Sequence, residues 1–181
     1  LARIKSSVST LTGILNDFLS LSKLEEGKVE INLTSLNIDD LCLEIIDATK
    51  GLIKKEGQVI IHEIHGDPQP MLIDQRILKN ILFNLISNAT KYSSDKVYCN
   101  VYFNDTNMEF RIKDTGIGIP YDDQKHLFSR FFRASNVTNI QGTGLGLNIV
   151  KHYVELLGGS IHFESEAEKG TTFFIILPYK K

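Results

Sequence analysis

Cysteine, excess basic charge and long apolar runs are all scarce in this sequence, and each shortage removes a class of function. Only two cysteines occur in 181 residues. Cys42, on an expected helix, and Cys99, on an expected strand, lack metal-ligand spacing and read as reduced core residues of a cytosolic protein, with no disulfide. Lysine and arginine total 20 against 22 acidic residues, for a formal charge of -2. These charges are spread along the chain and leave no basic footprint for nucleic acid. No apolar run approaches the roughly 20 residues of a membrane-spanning helix, so any membrane attachment is expected through segments outside this chain. The sequence opens at Leu1 without a signal-peptide pattern and is expected to be a fragment of a longer protein. Repeats and low-complexity tracts are absent.

Familiar nucleotide and metal motifs are missing too. There is no G-x-G-x-x-G, no G-x-x-x-x-G-K-[ST], and neither of the kinase triplets HRD and DFG. His62-Glu63-Ile64-His65 lacks the i, i+4 histidine pair of a zinc protease because position 66 is glycine, and His126, His152 and His162 stand alone.

With 42% hydrophobic residues, the chain can bury one proper core, as a single domain with an appendage. Its chemistry concentrates between two glycine-rich loops, Asp114-Thr115-Gly116-Ile117-Gly118-Ile119-Pro120 and Gly142-Thr143-Gly144-Leu145-Gly146-Leu147. Alternate glycines permit positive φ and leave backbone N–H groups uncovered, which suits a phosphate chain. The second loop runs into Leu147, Ile149, Val150, Tyr153, Val154 and Leu157 at helical spacing, so its amides sit at a helix N-terminus, a site for anions. Between the loops, Leu127-Phe128-Ser129-Arg130-Phe131-Phe132-Arg133 reads as a lid. Upstream, Asn84, Asn88 and Lys91 fall on one face of an apolar helix.

Taken in order, Leu1, Ile4, Val8, Leu11, Leu15 and Phe18 form a helical seam, widened by Ile14, Leu19 and Leu21 to fit a bundle. Either this helix packs on its own domain or it belongs to a helical bundle. Gly27 should stop it. Val29, Ile31 and Leu33 alternate as a first strand; Asn37 caps a helix through roughly Lys55 with Ile38, Leu41, Ile45, Ile46 and Leu52 buried. Strands are expected at about Val59–Ile64, Met71–Ile73, Val97–Phe103, Met108–Ile112, Ser160–Phe163 and Thr172–Leu177, with Asp74 capping the helix that carries Asn84. This mixture without a strict βαβ rhythm implies an α+β fold, one sheet covered by helices on one face.

Residues 84–92, 114–120, 127–133 and 142–147 resemble, in order, the N box, first glycine box, F box and second glycine box of the catalytic ATP-binding domain of bacterial two-component sensor histidine kinases. Gly158-Gly159 and Gly170-Thr171-Thr172 match the close of that domain. The resemblance covers essentially the whole chain. It implies a Bergerat α/β sandwich, as in gyrase and MutL ATPases, over residues 28–181, with residues 1–27 as the second helix of the dimerisation and phosphoacceptor hairpin. Leu21-Ser22-Lys23-Leu24-Glu25-Glu26-Gly27 resembles the usual end of that helix.

The implied ligands are ATP and Mg²⁺. A carboxylate accepts the adenine amino hydrogens that guanine lacks, which is the role expected of Asp114, with Thr171 sharing a water beside it and Ile119 and Tyr92 walling the purine. Gly116, Gly118, Thr143 and Leu145 belong to the matched loops, and the amides of Gly142, Gly144 and Gly146 would cradle phosphates. Asn88 is the expected metal ligand, since Mg²⁺ takes oxygen donors and leaves most positions to water and phosphate. Asn84 and Lys91 would orient and neutralise phosphates, and Arg133 would reach the γ-phosphate on lid closure. Phe128, Phe131 and Phe132 are expected to anchor the lid in the core. Gln141 stands where glycine is common and would stiffen the lid; Leu157 stands where histidine often precedes the double glycine.

None of the five histidines lies in the His-Glu/Asp-x-Arg-x-Pro setting of the phosphoacceptor, which would lie upstream of Leu1. Implied partners are a response-regulator receiver domain and a second copy joined through the helical hairpin of the intact protein, on the cytoplasmic side of an anchored sensor. The alternatives are a Bergerat ATPase that works as a clamp and an anti-sigma-type serine kinase, both disfavoured by the F box and the N-terminal helix. Asp114-Thr115-Gly116 also spells the aspartic-protease triplet, but no second copy supplies the partner carboxylate.

Overall fold

The computed structural model describes residues 2–51, 53, 57–137, 140 and 142–179, with the backbone alone for residues 2–10 and 14. Leu1, Leu52 and Gln141 therefore lie outside the described residues, as do the side chains of Ile4, Val8 and Ile14.

The first helix, α1, spans Ala2–Glu25. It ends where expected: Gly27 N–H donates to Leu24 O and Lys28 N–H to Lys23 O, the paired bonds of a Schellman stop with glycine in the left-handed position. Leu11, Leu15, Phe18 and Leu19 remain exposed along it, while Leu21 is buried. The strand expected at Val29–Leu33 is displaced. Val29 and Ile31 only edge the core, and β1 is Thr34–Leu36. Its partner β3 (Met71–Ile73) is just as short, and the antiparallel ladder closes at three pairs. This pair is a second small sheet, where a single sheet was expected.

Helix α2, Ile38–Lys50, begins at Asn37, whose side-chain oxygen accepts from the N–H groups of Asp39 and Asp40. It ends at Lys50 with Gly51 as its C-cap, and Lys55, to which the run was expected to extend, lies outside the described residues. Ile38, Leu41, Cys42, Ile45 and Ile46 are buried, the stripe an amphipathic helix lays on a sheet. Helix α3, Gln75–Tyr92, is capped by Asp74, which accepts from Arg76 and Ile77 N–H and also ties down Asn32 N–H at 2.8 Å.

The main sheet has the order β2-β4-β5-β7-β6, from β2 (Val59–His65), β4 (Ser93–Phe103), β5 (Asn107–Gly116), β6 (Ser160–Glu166) and β7 (Gly170–Pro178). Only β2 and β4 run parallel, across α3; the other neighbours are antiparallel. Period-2 alternation puts Val97, Cys99, Val101, Met108, Phe110, Ile112, Phe173, Ile175 and Leu177 on one face, under α2, α3 and α5 (Gly146–Leu156). Among the described residues the opposite face carries no helix and is lined by planar groups. Tyr102 stacks on His65 with centroids 4.4 Å apart, the Arg111 guanidinium lies 4.0 Å from the Tyr102 ring, and His162 stacks on Phe174. This is the α+β sandwich expected of the sequence.

One position breaks the core pattern. Counting along β5 from Met108, Phe110 and Ile112, the next inward residue is Asp114, 6% exposed. A carboxylate in a hydrophobic register is costly unless a ligand or hydrogen bonds use it, and it marks where the sheet opens into a cavity.

Candidate functional site

The cavity is about 290 Å³ and lies between α3, the end of β5, the lid and the start of α5. Of the residues expected from the sequence, Asn84, Asn88, Lys91, Tyr92, Asp114, Gly118, Ile119, Arg133, Gly142, Thr143, Gly144, Gly146 and Thr171 line it. Gly116 and Leu145 do not. Gly116 donates its N–H to Asp114 Oδ1 at 2.8 Å, and a Cβ there would lie 2.1 Å from Tyr92 O. Leu145 is fully buried against Leu21 of α1 and Ile149.

The floor is built around Asp114. N–H groups of Gly116 and Thr171 donate to its carboxylate, yet burial outweighs them and pushes the carboxyl up to about 6. Thr171, equally buried, exchanges a 2.8 Å hydrogen bond with Ser165, whose Oγ also accepts from Ile119 N–H. Ser165 thus links Thr171 to the end of the first glycine loop. Its sequence gave no sign of this, because it is an ordinary strand serine 46 residues from Ile119.

Along α3, the Asn84 amide donates to Asn80 Oδ1 and to Asn80 O, leaving its own Oδ1 toward the second glycine loop, 2.7 Å from where a Gly146 Cβ would stand. Asn88 is half-buried and its side chain has no hydrogen-bond partner among the described residues. Lys91 Nζ lies 5.1 Å from the Tyr92 ring centroid and close to Gly142. Burial raises the pKa of the Tyr92 phenol, with the Arg133 charge acting against it.

The first loop turns at Gly118, φ +61, where a Cβ would come within 2.0 Å of Glu166 O; no other residue fits that approach. Beyond it a short helix, α4 (Tyr121–Gln124), starts the lid, which ends in a 3₁₀ turn at Ser135–Val137. Cross-links hold the lid: Asn136 donates to Gly118 O, Asn148 to Phe128 O, and Ser135 N–H and Oγ both donate to Asp123. Arg133 lines the cavity, but its Nη2 donates to Val137 O at 2.6 Å and to Ile140 O. In this conformation it ties the lid to itself.

The three phenylalanines divide. Phe128 packs edge-on to Phe163 and Phe132 lines the cavity. Phe131 does not anchor the lid: it is 63% exposed, with φ +58, and the left-handed backbone turns its side chain to solvent.

The wall also includes a residue from outside the glycine-loop region. Asp17 on α1 lines the cavity and accepts from the Thr143 hydroxyl at 3.1 Å, and that hydroxyl accepts in turn from Leu145 N–H. Burial raises the pKa of Asp17, opposed by the Thr143 bond. Glu25 of the same helix pairs with Arg130 of the lid. No local pattern foretells a carboxylate 126 residues from its partner. A polyanion in the cavity would meet like charge here. Asp17→Asn, which keeps the acceptor oxygen, should therefore strengthen binding of a nucleotide triphosphate roughly fivefold, about 1 kcal/mol of relieved repulsion. Calorimetric titration with a non-hydrolysable ATP analogue measures this; unchanged affinity would rule the repulsion out.

Residues 73–181 match the family described as histidine kinase-, DNA gyrase B-, and HSP90-like ATPase. The autoinducer 2 sensor kinase/phosphatase LuxQ of Vibrio vulnificus is 34% identical across 94% of this chain, which covers 21% of that protein. The circadian input-output histidine kinase CikA of Synechococcus elongatus is 32% identical across 97% of this chain and 24% of its own length. The chain thus spans about a quarter or less of these curated relatives. Among solved structures, the Acinetobacter baumannii histidine kinase AdeS superposes with a TM-score of 0.83 at 23% identity, over 99% of this chain and 84% of that one. The mycobacterial sensor histidine kinase MprB gives 0.68 at 26% identity, over 82% and 99%.

Proposed function

Because this chain belongs to the family of histidine kinase-, DNA gyrase B- and HSP90-like ATPases, we propose that it is the ATP-binding catalytic part of a sensor histidine kinase. It would present the γ-phosphoryl of ATP to a histidine on an upstream helix for relay to a response-regulator aspartate. The observation that carries this reading is the buried Asp114 at the floor of a cavity rimmed by two glycine loops. Residues 1–27 are assigned to the second helix of the phosphoacceptor hairpin and 28–181 to the catalytic domain. The exposed Leu11, Leu15, Phe18 and Leu19 support that division and a homodimer through the hairpin, since they are an apolar seam in need of cover. No described helix is long and apolar enough to cross a membrane; an intact sensor anchored elsewhere and carrying this domain on its cytoplasmic side is part of the proposal.

In this reading Asp114 selects adenine, with Thr171 beside it and Ile119 and Tyr92 against the ring. Asn84, Lys91 and the amides of the second loop hold phosphates at the N-terminus of α5. Asn88 fits a Mg²⁺ ligand: it offers a hard carbonyl oxygen with no competing partner among the described residues. The ion would neutralise charge on the phosphates as the phosphoryl group moves. Arg133 would have to exchange its lid carbonyls for phosphate oxygens, which couples its arrival to lid rearrangement.

Asn88→Ala should remove most of the gain in ATP affinity that Mg²⁺ provides, at least about tenfold, the smallest loss typical of disturbing a metal site. Titrations with and without the metal check this, and a full Mg²⁺ gain in the variant assigns the ligand elsewhere. The reaction itself is tested with γ-labelled ATP and the chain extended upstream through a helix bearing the acceptor. Acid-labile, base-stable protein label is the expected phosphoramidate. Acid-stable label points to a serine kinase, and free phosphate without labelled protein to an ATPase clamp.

A further inference from the structure

The parallel register of β2 and β4 places His62 directly beside Cys99. Cys99 belongs to the helix-covered face of the sheet, and α2 lowers Cys42 onto the same spot. A ligating atom from each of Cys42, His62 and Cys99 lies within 4.8 Å of the other two. Both cysteines are fully buried. Asp39, one turn before Cys42 on α2, meets His62 Nε2 at 2.8 Å, and His62 Nδ1–H donates to Cys99 O at 2.6 Å, which puts Nδ1 on the cysteine side, where it would exchange that carbonyl for an ion.

We propose that Cys42, His62 and Cys99 form a binding site for a thiophilic divalent cation, zinc above all, with Asp39 holding the imidazole. Tetrahedral zinc with bonds near 2.3 Å to sulfur and 2.0–2.1 Å to nitrogen puts its ligand atoms about 3.6–3.8 Å apart. Contraction by about an ångström converts the observed triangle into that geometry. Charge also favours this occupant. Two thiolates balance a divalent cation in a place where unbalanced charge is expensive, and binding releases the thiol protons together with the Nδ1 proton of His62, which leaves Nδ1 as the neutral ligand. Sulfur and imidazole suit zinc and reject Mg²⁺, so this site would not compete for the metal of the nucleotide cavity. The His62–Asp39 bond supplies the carboxylate–histidine pairing that orients metal-bound imidazoles. Asp39 is half exposed, and a water completes the coordination. Filled, the site staples α2 to two strands of the main sheet. Sequence spacing hides it because the three ligands come from three separate elements.

The test uses the whole chain, reduced and stripped with chelator, titrated with Co²⁺ and then Zn²⁺. One equivalent of Co²⁺ should produce thiolate-to-cobalt charge-transfer absorption with the visible bands of a tetrahedral site, and one equivalent of Zn²⁺ should erase both. Because Cys42 and Cys99 are the only cysteines, a thiolate signal has no other source. Zn²⁺ should also raise the thermal midpoint and protect both thiols from alkylation, effects that Cys99→Ala abolishes. Asp39→Asn should keep the spectrum and weaken affinity about 10–100-fold. Cobalt binding without the thiolate band, undiminished binding in Cys99→Ala, or thiols that alkylate equally fast with zinc would each overturn the proposal. If Cys99→Ala does not fold, the wild-type spectrum and thiol protection decide alone.

Discussion

Asp114→Asn is expected to weaken ATP binding about 100-fold, the upper end of what a paired base contact contributes, while leaving the fold intact. The geometry sets the sign. Gly116 N–H already donates to Oδ1 at 2.8 Å, so an asparagine keeps its oxygen there and turns its amide N–H₂ toward the cavity. Donor then faces the adenine amino donor. Stability should not fall, because burial already disfavours the ionised carboxyl. With its pKa raised from 3.8 to about 6, Asp114 contributes stability that is complete below about pH 4 and is lost as pH rises through about 6. The variant, which never ionises, escapes that loss and should melt no lower than wild type at neutral pH. Wild-type affinity should decline below about pH 6 as the acceptor protonates, and the variant's pH profile should be flat in that range. Calorimetric binding and thermal melts across pH measure both. Retention of wild-type affinity, or a collapse of the melt, would remove Asp114 from its proposed role.

Gly170→Ala should destabilise the domain by about 2–5 kcal/mol, combining the cost of a left-handed alanine with that of overpacking. Gly170 has φ +104, and a Cβ there would stand 2.1 Å from Asp114 O and 3.0 Å from Gly116 N. Both are backbone atoms that cannot swing aside, so the β7 start and the cavity floor must part. Gly158→Ala provides the control: φ is +79, but nothing lies within 4 Å of the added carbon. It should cost only the backbone term, about 1–2 kcal/mol. Urea denaturation with equal slopes compares the two, and Gly170→Ala should also lose ATP binding because its clash moves Asp114. Equal costs at the two positions would mean that the close approach at Gly170 carries no energy.

The residues that line the cavity were largely legible as a linear pattern because their backbone requirements are local. Glycines that turn a loop, an asparagine pair one helical turn apart and a carboxylate closing a strand each act within a few residues. Helix limits marked by Asn37, Asp74 and Gly27 were legible for the same reason: a cap satisfies neighbouring N–H or C=O groups. Boundaries without such a device shifted. The first strand moved to Thr34–Leu36 because its extent depends on β3, which no local signal reveals.

Sequence by itself determined the α+β class, the alternation that makes one sheet face a core, and the ordered boxes around Asp114. Tertiary structure alone decided that Asp17 enters the cavity wall, that Arg133 ties down the lid, that Phe131 faces solvent, and that Cys42, His62 and Cys99 meet. The physical reason is distance along the chain. Propensity and periodicity act over a few residues, whereas these contacts join positions brought together only when the helices settle on the twisted sheet, and the packing of the whole core chooses them.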